Sequence, residues 1–231
     1  DDLVVKQLNK VEATSTVKTV STPEPVSNNN AVTNNNEPYL EDFSSNVKNW
    51  TTKKNDSAEI QLKEGKYLCD NKKTGELISA QSIYLPQAYN YSISISTSHV
   101  SGVNTGGYGL LFGHGTGNTY YAFEITSDGN FHVIKSGRGN VVQELVKWAK
   151  SPAIKKGNNS VNILAVQKDS ANWKFLINNQ EVASCQSERL IGNGIGMIVK
   201  QKQLIAFDNL EIKRSQGPYV PPAGPGNRIR N

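Results

Sequence analysis

The chain has 231 residues, of which 36% are hydrophobic and 8% aromatic, and its formal net charge at pH 7 is +5. This length accommodates one large domain with flanking segments, and the hydrophobic share is low for a chain that is folded throughout. No apolar run approaches the roughly 20 residues of a membrane-spanning helix. The lysines are scattered and form no stripe, which argues against nucleic-acid binding.

Residues 1–38 have the composition of an extended, low-complexity tail. Pro23, Pro25 and two asparagine triplets follow a run rich in threonine and serine. Such a segment cannot bury enough apolar surface to offset the entropy lost on ordering. Its one apolar cluster is predicted to bind a protein partner, as an added strand or as a short helix in a groove. The cluster consists of Leu3, Val4, Val5, Leu8 and Val11.

Short strands are predicted from residue 39 onward. Tyr39–Ser44 is an entry strand, and Ala58–Leu62 and Lys66–Asn71 form a hairpin. Leu77–Leu85 and Ala88–Ser98 are longer strands. The last of these alternates strictly, so its apolar residues should face inward and its hydroxyls outward.

The clearest pattern in the chain is an antiparallel meander of three strands over Gly106–Lys135. Alternating apolar residues mark each strand, and Asp128-Gly129 predicts a type I′ hairpin turn because both residue types tolerate positive φ. The G-H-G-T-G-N run at Gly113–Asn118 is interpreted as a glycine-rich turn. A phosphate loop would be followed by a helix and would carry a Lys-Ser/Thr pair, and neither is present.

Further strands are predicted after the meander, for a total of about thirteen with turns every 8–12 residues, the spacing of a sandwich or barrel. They cover Val141–Val146, Ser160–Lys168, Asn172–Ile177, Glu181–Ser184, Gly194–Lys200 and Gln203–Lys213. A competing helical pattern over Val142–Lys150 is weaker. The predicted core positions are Tyr91, Ile93, Ile95, Leu110, Phe112, Phe123, Ile125, Ile163, Phe175 and Phe207.

Several of these runs resemble bacterial concanavalin-A-like (laminin-G-like) jelly-roll domains over residues 39–214. They are D-F-S-S-N at Asp42–Asn46, Y-G-L-L-F at Tyr108–Phe112, Y-Y-A-F-E-I at Tyr120–Ile125, W-A-K-S-P-A-I at Trp148–Ile154 and A-F-D-N-L-E-I at Ala206–Ile212. The resemblance implies an all-β fold, in which two antiparallel sheets form a jelly-roll sandwich. Such modules are mostly extracytoplasmic, and some bind carbohydrate while others bind proteins.

No catalytic residue, metal site or cofactor is predicted. Glucanases on this fold carry two catalytic carboxylates on one strand in an E-x-D-x-E pattern, whereas Glu124 stands alone because Thr126 fills the next position on the same face. The three histidines, His99, His114 and His132, lie on different segments without ligand spacing. A calcium site is also weakly supported, because no two loops carry paired Asp or Asn residues in a convincing arrangement.

Residues 215–231 form a second predicted tail, rich in proline and glycine. Proline lacks the amide donor that a sheet requires, so we expect an extended segment over a surface. Its candidate partner contacts are Tyr219, Arg228 and Arg230.

The two cysteines and the start of the chain bear on where the protein acts. The chain begins at Asp1 and its only methionine is Met197, so we expect an exported mature chain, periplasmic or attached to the cell surface. In that compartment Cys69 and Cys185 are candidates for a disulfide. Two separate buried thiols are the alternative.

Two functions are compatible with the sequence, neither of them enzymatic. The first is a protein-binding subunit of a bacterial cell-envelope assembly, held by its two tails. The second is a carbohydrate-binding module, in which exposed aromatic rings stack on sugars and polar side chains bind hydroxyls. The candidate glycan contacts are Tyr108, Asn118, Tyr120, Trp148 and Trp173.

Overall fold

The structure is a computed structural model that describes residues 37–85, 89–169 and 171–218, without the side chains of residues 140 and 215–218. The predicted tails therefore lie almost wholly outside the described residues. The same holds for their candidate partner contacts, which are Leu3, Val4, Val5, Leu8, Val11, Tyr219, Arg228 and Arg230.

Fifteen strands, numbered β1 to β15 along the chain, form two sheets in the described residues. The nine-stranded sheet contains β1 (Tyr39–Glu41), β2 (Lys53–Lys54), β3 (Ala58–Lys63), β4 (Lys66–Asn71), β6 (Tyr89–Gly102), β11 (Val161–Asp169), β12 (Asn172–Ile177), β13 (Gln180–Gln186) and β15 (Gln203–Pro218). The six-stranded sheet contains β5 (Glu76–Ser82), β7 (Tyr108–Gly115), β8 (Thr119–Ile125), β9 (Asn130–Ser136), β10 (Val142–Lys150) and β14 (Gly194–Lys200).

Every strand pairing in the described residues is antiparallel. The order in the nine-stranded sheet is β13-β12-β11-β6-β15-β4-β3-β2, with β1 also beside β15. The order in the six-stranded sheet is β10-β9-β8-β7-β14-β5. The predicted fold, an all-β concanavalin-A-like jelly-roll sandwich, is confirmed. Among the described residues no helix has the length and apolar character that a membrane crossing needs.

The core lies between the two sheets and follows the period-2 alternation of the strands. On β6 the inward positions are Tyr91, Ile93 and Ile95, all at most 4% exposed. Nine of the ten predicted core residues are buried, and Ile163 is the exception at 41% exposed. Its strand β11 turns the even-numbered positions inward, with Leu164 fully buried, so Ile163 faces outward and that prediction was wrong.

The segment Val142–Lys150, where a helical pattern competed with the predicted strand, is strand β10. At the other end of the chain, β15 continues to Pro218, so residues 215–218 belong to the sheet and not to the predicted tail. Pro218 is the last residue of β15 and pairs with Tyr89. A strand end is a position where the missing amide donor breaks no interior ladder.

The predicted disulfide is not formed, because Cys69 and Cys185 are free thiols. They lie on β4 and β13, five strands apart in the same sheet. Neighbouring strands are about 4.8 Å apart, which separates these cysteines by on the order of 24 Å. A disulfide requires Cα atoms within about 7 Å. Burial raises the pKa of the Cys69 thiol, which keeps it protonated and unreactive.

A buried carboxylate organises the loop that follows β1. Glu41 is 3% exposed; its Oε1 accepts the Phe43 amide at 2.9 Å and its Oε2 accepts the Trp50 indole N–H at 3.0 Å. The two aromatic rings pack edge to face with their centroids 5.5 Å apart. One side chain therefore satisfies two buried donors and holds the loop against the core.

We expect Glu41→Ala to lower the free energy of unfolding by about 2–4 kcal/mol, because both buried donors would lose a charged acceptor. Glu41→Gln retains one carbonyl acceptor and should cost less. Urea unfolding followed by tryptophan fluorescence measures both variants. A loss for Glu41→Ala within the range of ordinary surface substitutions, about 0.5 kcal/mol, would contradict this role.

Candidate functional site

The six-stranded sheet carries a second layer of side chains on the face turned away from the core, called here the outer face. Tyr121 and Phe123 of β8 point into the core, so Tyr120, Ala122 and Glu124 point outward. The apolar residues clustered on the outer face are Leu111, Tyr120, Ala122, Ile134 and Ile198. All five are at most 2% exposed, so this face is packed and does not have the open polar character usual for the solvent side of an antiparallel sheet.

A buried ionic cluster lies at one end of the outer face. Glu124 is fully buried, and its direct cross-strand neighbour on β9 is His132. His132 Nε2 lies 3.0 Å from Glu124 Oε2 and Lys200 Nζ lies 2.8 Å from Oε1. The backbone at Gly107 packs against the same carboxylate and leaves no room for a Cβ there. Three strands thus converge on one carboxylate.

The charges in the cluster keep Glu124 ionised. Burial alone raises its pKa, but the hydrogen bond with His132 and the ammonium group of Lys200 outweigh that effect, and the pKa lies below its ordinary value of 4.5. A buried carboxylate that stays charged needs such partners, because an isolated charge would be strongly disfavoured in this environment. Glu124 is therefore an acceptor and a fixed negative charge near neutral pH.

A second carboxylate extends the network across the sheet. Glu76 of β5 has Oε1 3.5 Å from Lys200 Nζ, so the one lysine contacts both glutamates. The Tyr120 hydroxyl donates to both Glu76 oxygens at 2.8 Å. Burial and this carboxylate together raise the pKa of Tyr120, which keeps the phenol protonated and donating.

The exposed part of the site is an indole ring. Trp148 is 45% exposed and stacks on the His132 imidazole with centroids 3.6 Å apart and an interplanar angle of 17°. The register of β10 against β9 shifts between Val146 and Ala149, and a bulge of this kind re-aims side chains. His132 Nδ1 is buried and has no hydrogen-bond partner among the described residues.

The hairpin that joins β8 to β9 sets this arrangement, and its turn differs from the predicted type. Type I′ needs positive φ at both central residues, but only Gly129 has it, at 104°, and Asp128 does not. The Gly129 amide donates to the Thr126 carbonyl and the Thr126 amide to the Asn130 carbonyl. This longer loop pairs Glu124 with His132; a two-residue turn centred on Asp128-Gly129 would shift the register by one residue.

The five predicted glycan contacts divide between the outer face and the core. Tyr120 and Trp148 lie on the outer face, and Asn118 is exposed in the adjoining β7–β8 turn with φ of 56°. Tyr108 and Trp173 are 1% and 0% exposed and belong to the core, and Tyr120 is 1% exposed although it lies on the outer face. None of these three rings can stack on a sugar, so that part of the prediction was wrong.

Sequence reasoning missed Glu76, His132 and Lys200 as site residues. Alternation along β9 puts His132 on the face opposite to that of Phe131, which is correct. Counting back from the predicted two-residue turn would have paired His132 with Ile125, and only the longer loop pairs it with Glu124. Glu76 and Lys200 carry no local signal. They join the site because β14 pairs with β7, and β5 with β14, across long separations in the chain.

Comparison with known proteins identifies the fold. No family model and no curated protein sequence matches the chain. A Bacillus subtilis protein of unknown function with a galectin-like fold aligns with TM-score 0.58 and 11% identity, over 76% of this chain and 94% of that one. Bacillus licheniformis β-glucanase aligns with TM-score 0.52 and 10% identity, over 78% and 100%.

A third similar structure is a part of a larger enzyme. The GH43 protein BlXynB of Bacillus licheniformis aligns with TM-score 0.54 and 12% identity, over 75% of this chain but only 39% of that one. At such identities the likeness is one of fold. No family model supports the narrower assignment as a laminin-G-like domain. What the structural likeness shows is the fold, a concanavalin-A-like jelly-roll sandwich.

Proposed function

We propose that this protein is a non-enzymatic glycan-binding module that acts outside the cytoplasm and binds sugar on its outer face. The observation that carries the proposal is the exposed Trp148 ring stacked on His132 beside a buried charged network. Support also comes from the fold, which is shared with a β-glucanase and with part of a GH43 enzyme. The name of the first of these two proteins, a β-glucanase, indicates a polysaccharide substrate.

The chemistry of the site suits a sugar. The apolar face of a pyranose packs on an aromatic ring, and a few well-placed polar groups then select its orientation. The His132 imidazole, bonded to Glu124 through Nε2, supports the Trp148 ring from one side, and the exposed part of the indole is left for a sugar. The network behind it holds the imidazole in place, so little ordering is required on binding.

The same network argues against glycoside hydrolysis. Hydrolysis needs a carboxylic acid that is protonated near neutral pH, which requires a raised pKa, together with a second free carboxylate. Glu124 has a lowered pKa, and Lys200 contacts both Glu124 and Glu76. We therefore propose that these two glutamates position other groups and transfer no proton.

Trp148→Ala is expected to weaken polysaccharide binding at least about tenfold, equivalent to about 1.4 kcal/mol, while the melting temperature changes little because the ring is half exposed. Affinity gel electrophoresis in gels that contain soluble β-glucan or xylan measures the retardation. Tyr84→Ala is the matched control, because Tyr84 is an exposed aromatic residue at 63% and lies outside the cluster.

Equal retardation of the wild type and Trp148→Ala, or equal losses in Trp148→Ala and Tyr84→Ala, would contradict the proposed site. If the wild-type protein is not retarded in any of the gels, it binds neither β-glucan nor xylan, and that outcome would contradict glycan binding of these two classes. The protein-binding role in an envelope assembly rests on the tail residues outside the described part of the chain and stays a prediction.

A further inference from the structure

A cleft of about 550 Å³ opens at one end of the sandwich, between the segment that follows β5 and the loop that joins β13 to β14. Its volume is within the range of about 300–1,000 Å³ that is usual for ligand sites. β5 and β10 form opposite edges of the six-stranded sheet, so the cleft is separate from the Trp148 site on β10. It does not depend on the glycan binding proposed above.

Most of the side chains that line the cleft are apolar. Leu85 and Leu190 are buried, at 2% and 8% exposed, whereas Tyr84 and Ile191 are 63% and 40% exposed. The exposed aromatic ring belongs to the segment after β5, and the exposed aliphatic side chain belongs to the β13–β14 loop. Apolar surface that is open to water favours the binding of an apolar group between these two segments.

Hydrogen bonds hold the two sides of the cleft in place. The Ile83 amide donates to the Asn193 carbonyl at 2.8 Å, which ties the segment after β5 to the β13–β14 loop. The Tyr121 hydroxyl donates to the Arg189 carbonyl at 3.1 Å, which fixes the backbone of the loop to the core. A cleft with fixed sides requires little ordering when a ligand binds.

The charge in the cleft is carried by one guanidinium group. Arg189 is the only charged residue among the described lining residues. Its side chain is exposed, and no carboxylate of the described residues lies within ion-pair distance of it. The carboxylate next to it in the chain, Glu188, contacts Lys135 and accepts the Tyr121 hydroxyl at 3.0 Å. Arg189 is therefore available to an anionic ligand.

We infer that this cleft binds the C-terminus of a partner protein that ends in a large apolar residue. The terminal carboxylate pairs with the Arg189 guanidinium, whose parallel N–H groups match the two carboxylate oxygens. The terminal side chain packs between Tyr84 and Ile191. The side-chain amide of Asn193, which also lines the cleft, can donate to and accept from the peptide backbone of the ligand.

The lining distinguishes this ligand from other anions and from a sugar. A nucleic acid is bound through several lysine and arginine side chains that neutralise its phosphates, whereas the described lining holds one cation. One cation matches the single negative charge of a peptide terminus. Three aliphatic side chains, Leu85, Leu190 and Ile191, line the cleft, and they suit an apolar side chain better than the hydroxyls of a sugar.

The test uses a fluorescein-labelled hexapeptide that ends in phenylalanine, as the free acid and as the C-terminal amide. Fluorescence polarisation measures its binding to the full chain. We expect the free acid to bind at least about tenfold more tightly than the amide, because only the acid pairs with Arg189. Arg189→Gln should lose at least about tenfold in affinity for the acid and little for the amide. The matched control, Arg138→Gln, removes an exposed arginine outside the cleft and should retain wild-type affinity.

The apolar part of the ligand is tested in the same assay. A hexapeptide that ends in glycine should bind about tenfold more weakly than the phenylalanine peptide, and Tyr84→Ala should weaken binding of the phenylalanine peptide by a similar factor. Melting temperatures should change little, because Tyr84 and Arg189 are both exposed. The β-glucan and xylan of the gel experiment carry no peptide terminus, so Tyr84→Ala stays a suitable control there.

Three outcomes would overturn the inference: no binding of the free acid, equal binding of acid and amide, or equal losses in the two arginine variants. Competition by hydrocinnamate as strong as that of the peptide would also overturn it, since a free carboxylic acid would then suffice. Trp148→Ala should leave peptide binding unchanged, so failure of this cleft and failure of the glycan site on the outer face are distinguishable.

Discussion

Replacing Trp173 with alanine is expected to lower the free energy of unfolding by about 3–5 kcal/mol, the range for loss of a large buried aromatic ring. Trp173 is fully buried and packs edge to face against Phe112 and Tyr121, with centroid distances of 5.3 and 4.8 Å. Its indole N–H also donates to the Tyr91 hydroxyl at 3.0 Å. The substitution therefore leaves a cavity and removes a buried hydrogen bond.

Chemical unfolding with guanidinium chloride, followed by far-UV circular dichroism, measures this effect without relying on the tryptophan signal. Trp173→Phe is the matched control, because it retains most of the packing and removes only the indole N–H, so it should cost clearly less. Loss of polysaccharide binding by Trp173→Ala at unchanged stability would instead make Trp173 a ligand contact, contrary to its place in the core.

Glu124→Gln is expected to destabilise the protein by about 2–4 kcal/mol near neutral pH. Removing one partner of a buried ion pair leaves the other charge poorly compensated. Lys200 would keep Glu76 at 3.5 Å, and His132 would lose its charged acceptor. Because Lys200 retains one carboxylate and is 22% exposed, the loss should fall short of the largest values for isolated buried pairs.

The pH dependence of stability tests the same group. The pKa of Glu124 is lower in the folded protein than its ordinary value of 4.5. Its contribution is therefore fully present above that ordinary value and is lost as the pH falls through the lower folded value. As the pH falls below 4.5, the wild type should lose stability more steeply than Glu124→Gln, and the difference between the two curves should shrink.

Glu59→Gln is a suitable control for this comparison. Glu59 also contacts two lysines, Lys54 at 3.2 Å and Lys72 at 3.1 Å, but on the protein surface. Surface pairs contribute about 0–1 kcal/mol, so this variant should lie close to the wild type. Similar losses in Glu59→Gln and Glu124→Gln would mean that burial of the cluster has no special effect, which would refute the electrostatic role given to Glu124.

The sequence by itself determined the local structure of this protein. Strict alternation in β6 places Ile93 and Ile95 inward and its serines outward, because successive side chains of a strand point to opposite faces. The spacing of strands and turns predicted a sandwich or a barrel, and the resemblance to concanavalin-A-like domains implied the sandwich of two sheets. The face on which a side chain lies depends on neighbouring residues of the same strand, so it can be predicted without knowing the partner strands.

Alternation along a strand leaves two questions open, and the tertiary structure decided both. The first is which face of each sheet lies in the core, and the second is which strands pair with each other. Trp148 and Trp173 both lie on strands, yet a bulge in β10 aims the first toward solvent while the second is an inward residue of β12. Cys69 and Cys185 are separated by the strand order of the sheet.

The ionic cluster depends on the same long-range pairing. Lys200 and Glu76 reach Glu124 only because β14 and β5 extend the six-stranded sheet beyond β7. Strand order arises from hydrogen bonding between segments that are far apart in the chain, and no local periodicity encodes it. For that reason the inward and outward residues of each strand could be predicted from the sequence, while the cluster of Glu124, Lys200 and Glu76, which spans several strands, could not.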